Sequence, residues 1–525
     1  MVPFFPALRL VRAGWVLARE GVVAAMPAQG LSGPALTAHK IASAISRKRS
    51  GGKSHTDRMN AAIARLGPSY AKLGQFLATR PDIIGLDMAL ELANLQDQMA
   101  SFPNADSFAR IEDSLGLSVD ALFSRIDDPI AAASIAQVHP AWVKTADGSE
   151  RKVAVKVVRP GVRARFAKDL ETFFMFARLQ ERLFPGVRRL KPVAVAETLE
   201  QSTRIEMDLR LEAAALSEIA ENTKDDPDFR VPKVDWERTG RDVLTMEWVD
   251  GIKLSNVEAL KAAGHDLEAL AVKVIQAFLR HAIRDGFFHA DMHPGNLFVD
   301  EKGDIIAVDM GISGRIGLAE RRFLAEILFG FIRRDYRRIA EVHFEAGYVP
   351  KHHDVDAFAQ ALRAVGEPIH DQPADTISMG NLLTLLFDVT DLFDMQTRPE
   401  LLLLQKTMVV AEGNARMLDP QFNMWEAARP IITDWVSKNL GPVGFAKDAR
   451  EGLHALVSIA RQVPDLARRT ELLSLEVEKA AMDGFKLAPD TVKAIGKAEA
   501  AHSRWGRVAL WVIAIAAIYI AFSFV

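Results

Sequence analysis

The chain has 525 residues, 49% of them hydrophobic and 25% charged, with a formal net charge of −3. That length allows two or three compact units, and the near-neutral charge excludes a nucleic-acid binder working by broad phosphate neutralisation. Cysteine is absent, which excludes disulfides, thiolate metal sites and cysteine nucleophiles and fits a reducing compartment.

Residues 1–53 form a basic segment. Arg9, Arg12, Arg19, Lys40, Arg47, Lys48, Arg49 and Lys53 stand against Glu20 alone, with Leu8, Leu10, Val11, Trp15, Val16 and Leu17 interleaved. This pattern predicts a basic amphipathic helix on an anionic lipid surface, and an organelle presequence would look similar. No apolar h-region with a small-residue cleavage site precedes the charges, so a secretory signal is not expected. Residues 27–34 and 46–52 read as linkers, and no internal repeat is found. The next block is Leu66-Gly-Pro68-Ser-Tyr70-Ala-Lys72-Leu-Gly74-Gln75-Phe-Leu-Ala-Thr79-Arg80-Pro81-Asp82, with Leu95-Gln96-Asp97 behind it. Its apolar spacing is helical, so Lys72 and Gln75, three apart, share a face. Gly74 within that helix costs ~1 kcal/mol relative to alanine, which points to close packing. By spacing alone, a solvated Lys/Gln face on an ordinary helix is the simpler reading.

Val153-Ala-Val-Lys156-Val-Val158 alternates like a strand and carries the Val-Ala-x-Lys signature of a kinase strand, whose lysine contacts the α- and β-phosphates. A kinase also needs a Gly-rich loop ahead of that lysine, so that backbone N–H groups approach the phosphates. Here the matching run is Ile130-Ala131-Ala132-Ala133-Ser134-Ile135-Ala136-Gln137-Val138, with alanine in place of glycine. Alone it reads as an Ala-rich helical turn. Its distance before Lys156 favours the phosphate loop.

Residues 199–220 compose as one strong helix bearing Glu206, Asp208 and Glu212. Glu206 and Glu212, six apart, lie on different faces and cannot do the same job. One must pair with Lys156, as a kinase lysine pairs with a helical glutamate. We assign Glu212 to Lys156, and Glu206 with Asp208 to orienting the Lys72/Gln75 element; either acid is also readable as part of a surface ion-pair lattice. Residues 241–249 form a hydrophobic strand before the turn Asp250-Gly251. Backbone groups of Glu247 and Val249 would meet an adenine there, although an ordinary core strand fits too.

An amphipathic helix over 267–285 runs into His289-Ala-Asp291-Met-His293-Pro-Gly-Asn296, followed by Leu297-Phe-Val299, a turn at 301–304, Ile305-Ile-Ala-Val308 and Asp309-Met310-Gly311. The order Asp, Asn, Asp is that of a kinase centre. The first Asp accepts a hydroxyl proton, while the Asn and second Asp hold magnesium. The two short strands carry all three side chains to one end of a hairpin. His289 and His293 read as turn formers rather than zinc ligands. Beyond 318 the chain is helical by period, and Lys406, Glu412 and Arg416 on the segment 401–415 and its end read as structural. Residues 508–525 carry no charge. As helix they span ~27 Å, against ~30 Å of bilayer hydrocarbon. Trp505 and Trp511 sit near the charged flank, and Lys493, Lys497, Arg504 and Arg507 precede the span, so the positive-inside rule keeps the preceding domain cytoplasmic. A buried core or dimerisation helix is the competing reading.

Together, the Ala-Ala-Ala-Ser-Ile-Ala-Gln-Val-His loop, Val-Ala-Val-Lys, His-x-Asp-x-His-Pro-Gly-Asn, Lys-x-Gly-Gln and Glu-x-Asp resemble the UbiB family of atypical kinase-like proteins. The resemblance covers roughly residues 60–430, with Met310 and Tyr70 as small departures. It implies that Lys72 and Gln75 belong to an extension folded over the active site, filling the groove a peptide would use. It further implies ATP and Mg2+ as cofactors and a need in ubiquinone biosynthesis, with slow ATP hydrolysis rather than phosphorylation of proteins in trans. Expected partners are membrane lipids of an anionic surface, prenylphenol or quinone intermediates and other quinone-biosynthesis proteins, and no nucleic acid. The expected fold is α+β: a bilobal protein-kinase-like fold with an N-terminal helical extension, a helix-rich C-lobe and a C-terminal transmembrane helix. The expected parts are 1–53 basic segment, 54–120 extension, 121–250 N-lobe, 251–500 C-lobe and 505–525 membrane span. A bacterial inner membrane is expected, an organelle inner membrane being the other option. Two further function classes stay open: a phosphotransferase acting on a small molecule or protein, and a nucleotide-gated lipid-binding scaffold.

Overall fold

A computed structural model of the chain describes residues 4–22, 34–46, 55–78, 92, 99–183, 191–370, 389, 392–395 and 399–439. Residues 1–437 form one compact unit and 438–525 a second. The elements before the first lobe are α1 (Phe4–Arg19), α2 (Pro34–Ile45), α3 (His55–Leu66) and α4 (Pro68–Ala78). Among the described residues no helix is long and apolar enough to cross a membrane; the expected span at 505–525 lies outside them, as do residues 79–82 and 95–97.

The first lobe is built on α5 (Asn104–Leu115) and the strands β1 (Arg125–Ile126), β2 (Ala131–Ala132), β3 (Ala136–Lys144) and β4 (Glu150–Val158). After these come α6 (Val162–Leu183), α7 (Pro192–Glu206), α8 (Leu209–Asn222), β5 (Phe229–Arg230) and β6 (Val243–Glu247). β1, β3, β4 and β6 are neighbours in that order in one sheet, with β2 on β3. The period of two along β4 sorts its side chains. Val153, Val155 and Val157 enter a cluster with Ile111 of α5, while Ala154 and Val158 join Leu216 and Ile219 of α8. Lys156 has the parity of the second set, so the pleat alone aims it at α8. The alanine run is not helical: Ala131 and Ala132 pair antiparallel with Val138 and Gln137, and Ala133 N–H donates to Ala136 O at 2.8 Å to close a tight hairpin.

The helix expected over 199–220 is two helices. α7 ends at Met207, and Asp208 takes an extended conformation (φ −114°, ψ 94°) as the N-cap of α8. Its carboxylate accepts from Arg210 N–H at 3.2 Å, and Leu209 N–H leaves the helix for Arg241 O at 3.0 Å. Arg163 donates to Met207 O and holds the break in place. An Asp able to satisfy an orphan N–H competes with helix continuation there, which composition does not reveal.

The second lobe contains β7 (Ile252–Lys253), α9 (Leu267–Leu279), β8 (Phe287–His289), β9 (Leu297–Val299), β10 (Ile305–Ala307) and β11 (Ser313–Arg315). It continues in α10 (Leu318–Arg333), α11 (Tyr336–Glu345), α12 (Val355–His370), α13 (Pro399–Leu418) and α14 (Met424–Asn439). α9 runs on as a π-helix over Arg280–Asp285 and stops at Gly286, whose φ of +70° and contact with Ile316 O (2.6 Å from a Cβ placed there) admit only glycine. β9 and β10 pair antiparallel, Ile305 opposite Val299 and Ala307 opposite Leu297, as the alternation predicts. β5 runs parallel to β10 and belongs to the same sheet as β7, β9 and β10, although it precedes β6 in the chain.

In the extension, α3 and α4 meet at Gly67 (φ +96°), where Arg165 of α6 donates to Leu66 O at 2.7 Å. α4 packs on α6 and α7, with Ala71 and Gly74 buried and Tyr70 edge-on to Phe173 at 5.2 Å. α1 lies on α6, fastened by Arg9 to Glu171 (2.7 Å) and Thr172 (3.0 Å).

Candidate active site

Lys156 is the centre of a charge cluster between the lobes. Its Nζ donates to both Glu212 oxygens, at 2.7 and 2.9 Å, and to Asp309 Oδ2 at 3.2 Å. Lys156 and Glu212 are buried, whereas the Asp309 side chain is 43% exposed. Burial works against the ammonium, yet Asp309 and Glu212 hold Lys156 above the ordinary lysine range. Burial pushes the Glu212 carboxyl up to about 7, with Lys156 and the Met310 N–H pulling the other way. Asp309 falls to about 2: burial opposes its charge, and Lys156 and the Gly311 N–H (2.8 Å to Oδ1) prevail.

The β9–β10 hairpin brings the other acids in. Val308 N–H donates to Asn296 O at 3.0 Å, closing the hairpin end that carries Asn296 and Asp309. Asn296 Nδ2 lies 3.3 Å from Asp291 Oδ2, so the expected base and an expected metal ligand are adjacent. Buried His289 accepts from Asp291 N–H at 3.3 Å through Nδ1 and shapes the loop. The oxygen-rich set Asn296 and Asp309, left partly open beside an ammonium, suits Mg2+ bound together with phosphates.

A second lysine is held above this centre by the extension. Lys72 Nζ sits 2.5 Å from Glu206 Oε2 and 3.3 Å from Gln75 Oε1, with both charged side chains nearly inaccessible. Glu206, Lys72 and Gln75 are therefore brought together. Asp208 is not among them: its carboxylate is engaged by Arg210 at 2.9 and 2.6 Å and caps α8. The expectation that it orients the Lys72 element is corrected by its capping role.

The alanine loop separates into backbone and side-chain roles. Ile130 is 62% exposed at its entry, Ala131 is exposed, Ala132 and Ala133 are half-buried, and Val138 lies opposite Lys156. Ser134, Ile135, Ala136 and Gln137 are buried. Gln137 contributes no side chain to a nucleotide: its amide binds Phe102 O (3.2 Å) and Ser107 Oγ (2.9 Å) and pins α5 to the sheet. At the strand end, the Glu247 N–H donates to Lys233 O at 2.8 Å and its carboxylate engages Arg230 at 3.1 Å, leaving only the carbonyl for an adenine. Val249 is half-buried just beyond.

α13, expected to be a structural helix, also holds the loop around Asp291. Thr407 Oγ1 donates to Ala290 O at 3.2 Å and Asn414 Nδ2 to Met292 O at 2.7 Å, one on each side of Asp291. Lys406, expected from sequence to be structural, is half-buried next to Thr407, and the charges of Asp291 and Lys72 act on it from opposite directions. No local signal marks these residues, because their partners are over a hundred positions away.

Family models and known proteins match much of this chain. The ABC1 atypical kinase-like domain matches residues 94–343, and the UbiB helical domain matches 362–423. A protein named "Probable protein kinase UbiB" from Marinobacter nauticus is 39% identical over 418 residues, 79% of this chain and 76% of that one. Its namesake from Azotobacter vinelandii is 39% identical over 434 residues, 82% of this chain and 79% of that one. A solved Rv3197–erythromycin complex from Mycobacterium tuberculosis aligns with a TM-score of 0.48 and 23% identity, over 70% of this chain and 93% of that chain.

Proposed function

This chain belongs to the UbiB family of ABC1 atypical kinase-like proteins, and from that premise we propose that it is a membrane-associated Mg-ATP-dependent ATPase serving ubiquinone biosynthesis. Its turnover would be coupled to prenylated phenol intermediates or to the proteins that handle them. The observation that carries the reading is the joined cluster of Lys156, Glu212 and Asp309, with Asn296 and Asp291 beside it. Lys156, kept protonated by its two carboxylates, would hold the α- and β-phosphates. Asn296 and Asp309 would hold Mg2+, which when bound neutralises charge on the β- and γ-phosphates. Asp291 would take the proton of the attacking hydroxyl, and a water is the acceptor this reading favours. The reason is the extension: Lys72 is locked to Glu206, and the family resemblance would put this element in the groove a peptide substrate needs.

Membrane association is supported by α1. The face turned away from α6 exposes Phe5 (72%), Leu8 (58%), Val11 (70%) and Trp15 (50%), with Arg12 and Arg19 exposed along it. Apolar side chains ringed by arginines suit an anionic headgroup layer. With protein truncated before residue 505, Val11→Asp/Trp15→Asp is expected to weaken partition onto anionic liposomes at least tenfold, since each buried apolar side chain is worth ~1.5–3 kcal/mol. Unchanged co-sedimentation would remove α1 from the membrane. A bacterial inner membrane with the kinase-like lobes on its cytoplasmic side is the location we propose.

The deciding experiment follows γ-labelled phosphate from ATP, with and without anionic liposomes and a prenylphenol mimic. Label released as inorganic phosphate, and more of it with lipid or phenol, is the expected result. Label transferred to a small molecule or protein would establish the phosphotransferase instead. Binding without turnover, insensitive to Asp291→Asn, would leave a nucleotide-gated scaffold.

A further inference from the structure

α13 grips the loop that carries Asp291. Its two anchors, Thr407 on Ala290 O and Asn414 on Met292 O, are both buried and flank the catalytic residue. Lys406 immediately precedes the first anchor and is half-buried at this seam. Among the described residues it makes neither a hydrogen bond nor an ion pair. Burial draws its ammonium below the ordinary lysine range, with Asp291 opposing that shift and Lys72 adding to it.

Among the described residues, the other lysines of the site are already committed. Lys156 is held by Glu212 and Asp309, and Lys72 by Glu206 and Gln75. The catalytic turn brings no cation inward, because His293 is exposed and accepts from the Gly295 N–H at 3.1 Å. An ammonium withdrawn from water without a counter-ion is unfavourable, and an anion arriving beside Asp291 would relieve it.

We propose that Lys406 binds the γ-phosphate of ATP, supplying the cation on the Asp291 side of the phosphoryl group in transfer. This rests on the Mg-ATP reading above. In the transfer, the bond between the γ-phosphorus and the β,γ-bridging oxygen breaks, and its electron pair stays with ADP. A bond forms from the acceptor oxygen to phosphorus, and the acceptor's proton passes to Asp291. Lys406 keeps its own proton and donates to the equatorial oxygens, where the moving charge is spread. Its partner exists only when a third phosphate is present, so Lys406 tells ATP from ADP.

The test measures equilibrium binding of Mg-ATP and Mg-ADP to the full chain in detergent, for the native protein, Lys406→Met and Lys406→Arg. Lys406→Met is expected to weaken Mg-ATP about tenfold, which is ~1.4 kcal/mol, while Mg-ADP changes less than about twofold. Lys406→Arg should restore most of the loss. Thr407 and Asn414 hold the helix, so the melting temperature should move by no more than about 2 °C. If Lys406→Met does not fold, Lys406→Gln gives the same readout. A loss shared equally by ATP and ADP, or unchanged ATP affinity, overturns the role of Lys406 alone. A native chain that binds neither nucleotide overturns the Mg-ATP reading, and this proposal with it.

Discussion

Asp309→Asn is expected to lower Mg-dependent ATP turnover by about 10³-fold or more while leaving the fold intact. Three decades of rate correspond to ~4 kcal/mol of transition-state stabilisation, the scale on which a metal acts on a phosphoryl group. The substitution removes an anionic oxygen from the proposed Mg2+ set and one of the two carboxylates on Lys156. It spares the other, since Glu212 still accepts from Lys156 at 2.7 and 2.9 Å. Asp309 is also partly open to water, so no buried charge is stranded. The measurement is a Mg2+ titration of turnover together with a urea unfolding curve. Native-like turnover with a normal Mg2+ midpoint would remove Asp309 from the metal site.

Lys156→Met is expected to be the costliest change to the fold, as well as abolishing turnover. It leaves Glu212 buried with no cation, and breaking a buried pair from one side costs ~3–5 kcal/mol. Burial already holds Glu212 at about 7, well above its ordinary value, and loss of the lysine removes the main opposing influence. The folded-state pKa is therefore raised above the unfolded one, and the folded variant keeps a proton that the unfolded chain releases. Its stability is fully present below the ordinary carboxylate range and is lost as pH rises through the folded value. Unfolding in urea should show a modest deficit near pH 5 and the full deficit near pH 8. A deficit independent of pH would mean that Glu212 is satisfied by something other than Lys156. The double change Lys156→Met/Glu212→Leu should recover much of the stability and none of the turnover.

These two expectations differ because the two carboxylates on one lysine have different surroundings. Glu212 comes from a helix packed under the sheet, and Asp309 from the half-open end of a hairpin. Both residues were readable from the motifs, as were Asp291 and Asn296, because the spacing of a hairpin and of a tight turn is a local property. The alanine loop was readable only from its distance to Lys156. Its composition favours helix, and the hairpin prevails because β3 and β4 offer a long antiparallel ladder, of which β2 takes one edge. Gln137 could not be sorted from its neighbours by sequence, because its amide is consumed by α5, an element outside the motif.

The sequence by itself determined what each short segment can become. A period of two on β4 puts Lys156 on one face, a hairpin gathers Asn296 and Asp309 at one end, and helical spacing pairs Lys72 with Gln75. Only the tertiary structure decided which buried charges meet. The interruption of the helix at Asp208 places Glu206 and Glu212 on separate axes, so one reaches Lys72 and the other Lys156. The docking of α13 sets Thr407 against Ala290, 117 positions earlier, and brings Lys406 within reach of the charge of Asp291. Periodicity follows from backbone geometry within a few residues. The pairing of charges depends on which packed elements exclude water around them, and that is settled by contacts far apart in the chain.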